Sequence, residues 1–108
     1  MVKQRIAVAL GYFVISSAHG VTGSTLLDAC LSSDKVERAR CEAYAIAIVD
    51  VMKGQGQLNG QRACFPNNVP RNRIGDVVRQ WLQSNASERQ TVAASGIPKA
   101  FAQAFPCK

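Results

Sequence analysis

The sequence predicts a small all-α domain of four or five helices, stapled by two disulfides and preceded by an export signal. Three observations carry this. Beyond residue 20 no useful stretch alternates at the period of a strand, while apolar residues recur at helical spacing throughout. All four cysteines, Cys30, Cys41, Cys64 and Cys107, fall in that part of the chain, and an even count in an exported chain reads as a disulfide framework. The first twenty residues begin with Lys3 and Arg5, continue as an unbroken apolar run from Ile6 to Ile15 and end in small residues around Ala18. That is the layout of a secretory signal.

Residues 1–20 are therefore read as a signal peptide, cleaved after Ala18 or Gly20, and residues 21–108 as one exported, periplasmic domain. The apolar run is shorter than the roughly 20 residues of a membrane-spanning helix, so no stable membrane anchor is expected after cleavage. The mature part keeps eleven Lys and Arg against seven Asp and Glu, a formal charge of +4. A domain of this size buries only about 60–65% of its unfolded surface, so covalent staples matter to it.

The elements follow in order. A first helix is expected over Thr25 to Leu31, with Leu27, Cys30 and Leu31 on one side. "SSD" ends it, and Asp34 caps a second helix with Glu37 three residues on as a capping-box partner. That helix, "KVERARCEAYAIAIVDVMK", is apolar nearly all round, and a helix of that kind is buried on most sides. The excess points to a homodimer whose interface uses Tyr44, Ile48 and Val51, and it makes Asp50 a carboxylate in need of a partner. Gly54 is the expected stop.

A polar linker, "KGQGQLNGQRACFPNNVPRNR", runs to Pro70, a good first-turn residue. Ile74, Val77, Val78, Trp81 and Leu82 then hold the spacing of a core-facing third helix. Asn85, followed by Glu88, is expected to cap the last helix. Gly96 and Pro98 are expected to kink that helix or split it.

The bridge pattern follows from these lengths. The second helix is about 27 Å long at 1.5 Å per residue, with Cys41 near its start and Cys64 beyond its end. Cys30 lies next to Cys41, and an antiparallel hairpin of the last two helices returns Cys107 to Cys64. The expected pairs are Cys30–Cys41 and Cys64–Cys107. This also explains why the chain ends on "AFPC": the tail is core.

Catalytic chemistry is missing from the expectation. The only histidine, His19, lies in the signal, so neither a Ser-His-Asp nor a Cys-His arrangement is available. No C-x-x-C pair or nearby histidine suggests zinc, and no metal or cofactor is expected. "GQGQLNG" follows no strand, so it reads as a flexible loop rather than a dinucleotide fingerprint. Asp28, Asp50 and Asp76 sit on three different helices with no spacing that makes a pair. Nucleic acid is not an expected partner, because no aromatic interleaves Arg62, Arg71, Arg73 and Arg79 to stack bases.

"LLDACLSSD", "RCEAYAIAIVDVM", "CFPNNVPRNRIGDVVRQWL" and the closing "AFPC" together resemble the Rap/Tai immunity proteins, over about residues 26 to 107. Those proteins protect bacteria from peptidoglycan amidases delivered by type VI secretion. The resemblance implies an exported all-α protein, usually homodimeric and not an enzyme, which binds an amidase and occludes its active-site cleft. Two loops are candidates for that contact. One is Gly54 to Arg73, with Gln57, Asn59, Arg62, Asn67 and Asn68 at its polar tips and Arg71 and Arg73 at its exit. The other is the tighter turn from Ser84 and Asn85 to Glu88. A small periplasmic stress chaperone of the acid-response type is the alternative, and it would use a broad apolar surface instead.

Overall fold

The computed structural model describes residues 20–108. The signal reading of residues 1–20 lies outside them, Gly20 apart. Four α-helices follow one another: α1 over Gly23–Leu31, α2 over Lys35–Gln55, α3 over Arg71–Ser84 and α4 over Ala93–Ala104, with a 3-10 turn, Ala86–Gln90, before α4.

α1 starts two residues earlier than its apolar spacing suggests. The Thr22 side chain accepts the Thr25 amide at 3.2 Å, a cap that meets one of the helix's orphan donors. Gly23 can enter the helix because nothing larger fits there. A Cβ on it would lie 2.9 Å from the Arg89 Cα. The segment before α1 is laced to the start of α4: the Gly23 amide donates to the Thr91 carbonyl at 2.9 Å, and the Ala93 amide to Val21 at 2.7 Å.

Asp34 caps α2 as expected, accepting the Val36 amide at 2.8 Å. Glu37 does not return the bond. It faces Arg40 at 3.7 Å instead. α2 also runs through Gly54, since one glycine costs a helix only about 1 kcal/mol. It stops at Gly56, whose φ of 78° supplies the left-handed residue that ends a helix.

The inner face of α2 is Cys41, Ala45, Ile48, Val49 and Met52. Asp50 is exposed, so the carboxylate expected to be buried faces water. α3 buries the five residues that its spacing selects, and α4 adds Ala93, Ile97, Ala100 and Phe101. Phe101, Leu82, Ile97, Val78 and Pro98 are the largest fully buried side chains and mark the core's centre.

The last two helices depart from expectation in an instructive way. Asn85 does not cap α4. It turns back to donate to the Trp81 carbonyl at 2.8 Å, and the chain makes a 3-10 turn before α4 begins. Nor do Gly96 and Pro98 split α4, which is continuous across both. Pro98 has no N–H for the Ala94 carbonyl, four residues back. That carbonyl accepts the Asn59 side chain at 3.0 Å instead, so the linker repairs the helix. Gly96 allows the close packing: a Cβ there would meet the Trp81 ring at 3.2 and 3.3 Å and the Glu88 carboxylate.

Cys30 pairs with Cys41, and Cys64 with Cys107, each with Cα atoms 5.0 Å apart. α3 and α4 run antiparallel, with Arg73 at one end beside Phe105 and Trp81 further along against Gly96. That return brings Cys107 to the linker, as the helix lengths require.

Candidate functional site

The linker between α2 and α3 is built as two turns with different roles. In the first, Leu58 and Gln61 exchange backbone bonds at 3.0 and 2.9 Å. Asn59 and Gly60 between them both have positive φ, 53° and 78°. Two such residues make the type I′ turn for which Asn-Gly is the strongest short signal. Gln57 tightens it by accepting the Gly60 amide at 3.0 Å. Leu58 packs on the core, and the Asn59 amide is engaged by Ala94. This turn is fastened down.

Between the turns, Ala63 and Phe65 pack against the core. The Phe65 ring centroid lies 5.7 Å from that of Phe101, edge-on, and 5.2 Å from that of Phe105. The Cys64 amide donates to the Phe105 carbonyl at 2.8 Å, alongside the bridge to Cys107. The chain's end and the linker thus form one patch.

The second turn, Asn67–Asn68, points outward. Both residues are exposed, and Asn68 has a φ of 63°, which asparagine tolerates better than most residues. Neither side chain has a hydrogen-bond partner among the described residues. Beside them lies a cleft of about 310 Å³ between α2, this turn and the start of α3. Val49, Phe65, Val69 and Ile74 give it an apolar lining, while Asp50, Lys53, Asn68 and Arg71 supply polar groups.

This end of the molecule is basic. The Lys53 ammonium lies 5.8 Å from the Phe65 ring and the Arg73 guanidinium 5.9 Å from Phe105. Arg62 is exposed on the linker and Lys108 follows the bridge. Arg71 meets Glu42 at 3.7 Å, but both are partly or well exposed, with 65% and 31% of their side-chain surface open to water. Such a pair is worth at most about 1 kcal/mol, so Arg71 can be drawn to another acid.

The second candidate loop is engaged elsewhere. Arg89 donates to the Leu82 carbonyl at 2.8 Å and to the Gln83 carbonyl at 2.7 Å, and Asn85 takes Trp81. These are the orphan carbonyls at the end of α3, where a cation also suits the helix dipole. Glu88 pairs with Lys99 at 3.4 Å. Ser84 and Ser87, both exposed, have no such role among the described residues. The turn is a cap.

The residues expected at a dimer interface are divided. Ile48 is buried within its own chain, Tyr44 is half-buried, and Val51 is exposed. Burial pushes the Tyr44 phenol above its ordinary range, with the Ala94 backbone amide pulling it partly back. The cleft residues Asp50, Lys53 and Val69 were not singled out as a partner site. Their only sequence signal is their nearness to the ends of α2 and the linker, which does not reveal a shared cleft.

The sequence model of the Rap1a immunity proteins matches residues 22–107. The chain belongs to that family. The Rap1a match begins at the Thr22 cap and ends at Cys107, so it spans the whole stapled domain, including both bridges. No curated protein and no solved structure matches the chain. Membership makes this an immunity protein directed at a secreted effector. An immunity protein binds its effector, and Asn67 and Asn68 stand exposed on the outward turn of this one.

Proposed function

We propose that the mature protein resides in the periplasm and blocks a type VI-secreted peptidoglycan amidase by filling its active-site cleft with the Phe65–Val69 segment. The observation that carries this is the contrast between the two turns. The first is pinned by Leu58 and by Asn59, whereas Asn67 and Asn68 stand free on a linker fixed at Cys64. A loop held this way loses little freedom on binding, which favours affinity. Arg62, Arg71, Arg73 and Lys53 speed encounter with an acidic rim. The chaperone alternative is less well supported, because among the described residues only five large apolar side chains are exposed, Val21, Leu31, Val36, Val51 and Val92, and none of them lies in the linker.

The protein acts as a homodimer through the outer face of α2. Val36, Ala43, Ala47 and Val51 are exposed along it. Antiparallel pairing about Ala43 and Ala47 brings Arg40 level with Asp50 of the other copy. Ile48 supports this face from beneath rather than forming it.

The test takes the product of the neighbouring gene, co-purified with this protein, and assays it for peptidoglycan cleavage with and without the protein. Asn67→Gly together with Asn68→Gly is expected to weaken inhibition about ten- to a hundredfold, the loss of a small hot spot. Ser84→Gly with Ser87→Gly is expected to change nothing. Undiminished inhibition by the Asn67/Asn68 variant would place the contact on the helices instead.

A further inference from the structure

The two bridges are built in different settings. Cys30 and Cys41 are 9% and 3% exposed, whereas Cys64 and Cys107 are both exposed, with exposed Pro106 and Lys108 beside the latter. We infer that Cys64–Cys107 is a thiol-exchange site, opened by a small dithiol in the folded protein while Cys30–Cys41 stays closed. The inference does not depend on which effector the protein binds.

Access is the first reason. Exchange needs a third sulfur to reach one of the two already bonded, and here both bonded cysteines are exposed. A cleft of about 260 Å³ does lead to the other bridge, between Arg38 and Arg79. Cys30 and Cys41 line that cleft but show little of their surface there, 9% and 3%.

Charge is the second reason. Arg62 and Lys108 flank the exposed bridge in sequence, and Lys53 and Arg73 lie against Phe65 and Phe105, the residues adjoining it. Positive surroundings lower a thiol's pKa and make it a better leaving group. They also draw in an anionic thiolate.

The step balances. One thiolate of the dithiol attacks a bridge sulfur, bonding to it and expelling the other cysteine as a thiolate. The second thiolate then attacks the dithiol's own first sulfur, closing a cyclic disulfide and releasing the remaining cysteine. Two electrons pass from dithiol to bridge, and two protons complete the Cys64 and Cys107 thiols.

The released segment carries the proposed contact. With the bridge open, the Cys64 amide bond to Phe105 and the packing of Ala63, Phe65 and Val69 hold residues 62–69 without a covalent tie. α1 and α2 keep their own staple, and the buried core does not run through the exposed bridge. Opening therefore loosens the linker without melting the helices.

The experiment treats the oxidised mature protein with dithiothreitol, quenches with N-ethylmaleimide at intervals and maps the alkylated peptides. The expected first product carries two labels, at Cys64 and Cys107, with Cys30–Cys41 intact and the far-ultraviolet circular dichroism unchanged. Cys30–Cys41 is expected to open at least about a hundredfold more slowly, since it waits on an unfolded fraction of about 10⁻³–10⁻⁶. In the two-label product, amides from Arg62 to Val69 should exchange hydrogen at least about tenfold faster, as a locally loosened segment does. Four labels appearing together, labels at Cys30 and Cys41 first, or no label on the folded protein would overturn the assignment. So would a two-label product whose amide exchange over Arg62 to Val69 is unchanged.

Discussion

Asn59→Gly tests whether the linker repairs the proline in α4. Glycine keeps the positive φ of 53° that the turn requires and removes only the side chain that reaches Ala94 at 3.0 Å. The bond lost is worth about 0.5–1.5 kcal/mol net, and the added freedom of glycine in the unfolded chain costs about 0.4–1 kcal/mol more. The two together lower the melting temperature by several degrees, at about 4–8 °C per kcal/mol for a domain this small. The second cost is the same whatever occupies position 98, but the first is not. In a Pro98→Ala background the new amide donates to the Ala94 carbonyl as in any helix, and Asn59 becomes redundant. Pro98→Ala also empties part of a fully buried site, a penalty that cancels in the cycle. Urea unfolding of the four proteins, fitted with a common slope, gives the coupling. It should approach 1 kcal/mol. A coupling below about 0.3 kcal/mol, within the scatter of independent sites, would refute the repair.

Gly96→Ala should destabilise by about 1–3 kcal/mol through overpacking against the buried Trp81 ring, reversing the gain of about 1 kcal/mol that alanine normally brings to a helix; denaturant unfolding reads the sign. Trp81→Phe should cost little for so large a change, because the indole N–H is buried with no partner and its removal recovers about 1–3 kcal/mol of desolvation; the thermal midpoint measures it. The raised Tyr44 phenol means the folded chain holds that proton more tightly than the unfolded one. Its contribution is therefore full below the ordinary value of about 10 and is lost as pH rises through the raised value; Tyr44→Phe should flatten the alkaline fall in stability. Arg71→Glu with Arg73→Glu should slow association with the effector about tenfold at low salt and much less at 1 M salt, where charges are screened beyond about 3 Å; stopped-flow mixing decides it.

The fold was legible wherever a residue's role depends on its near neighbours. Asp34 before an apolar run caps α2, and the spacing from Ile74 to Leu82 selects the buried face of α3, because both signals are local. The pairing of the cysteines was legible because helix length and hairpin return constrain distance. Failures came where a distant residue alters a local rule. Pro98 reads as a breaker until Asn59, 39 positions earlier, takes the carbonyl it strands. Asn85 reads as a cap until the end of α3 claims its side chain. Gly54 reads as a stop, yet it lies inside a helix that ends two residues later at Gly56. Asn59–Gly60 carries a hairpin signal, but it sits in a polar stretch with no flanking strands to mark it. The outward turn was legible as a loop, but its freedom at Asn67 and Asn68 emerges only once the neighbouring groups are seen to be engaged.

The spacing of the two bridges sets an order of events during folding. Cys30 and Cys41 are 11 residues apart, whereas Cys64 and Cys107 are 43 apart. Short closures outpace long ones, so the first bridge joins α1 to α2 while the second still waits for α4 to return along α3. A folding intermediate can thus hold α1 against α2 yet lack the fastening that shapes its linker. The later bridge therefore acts as a check on folding, because only a chain whose last helix has docked presents its linker in the bridged form.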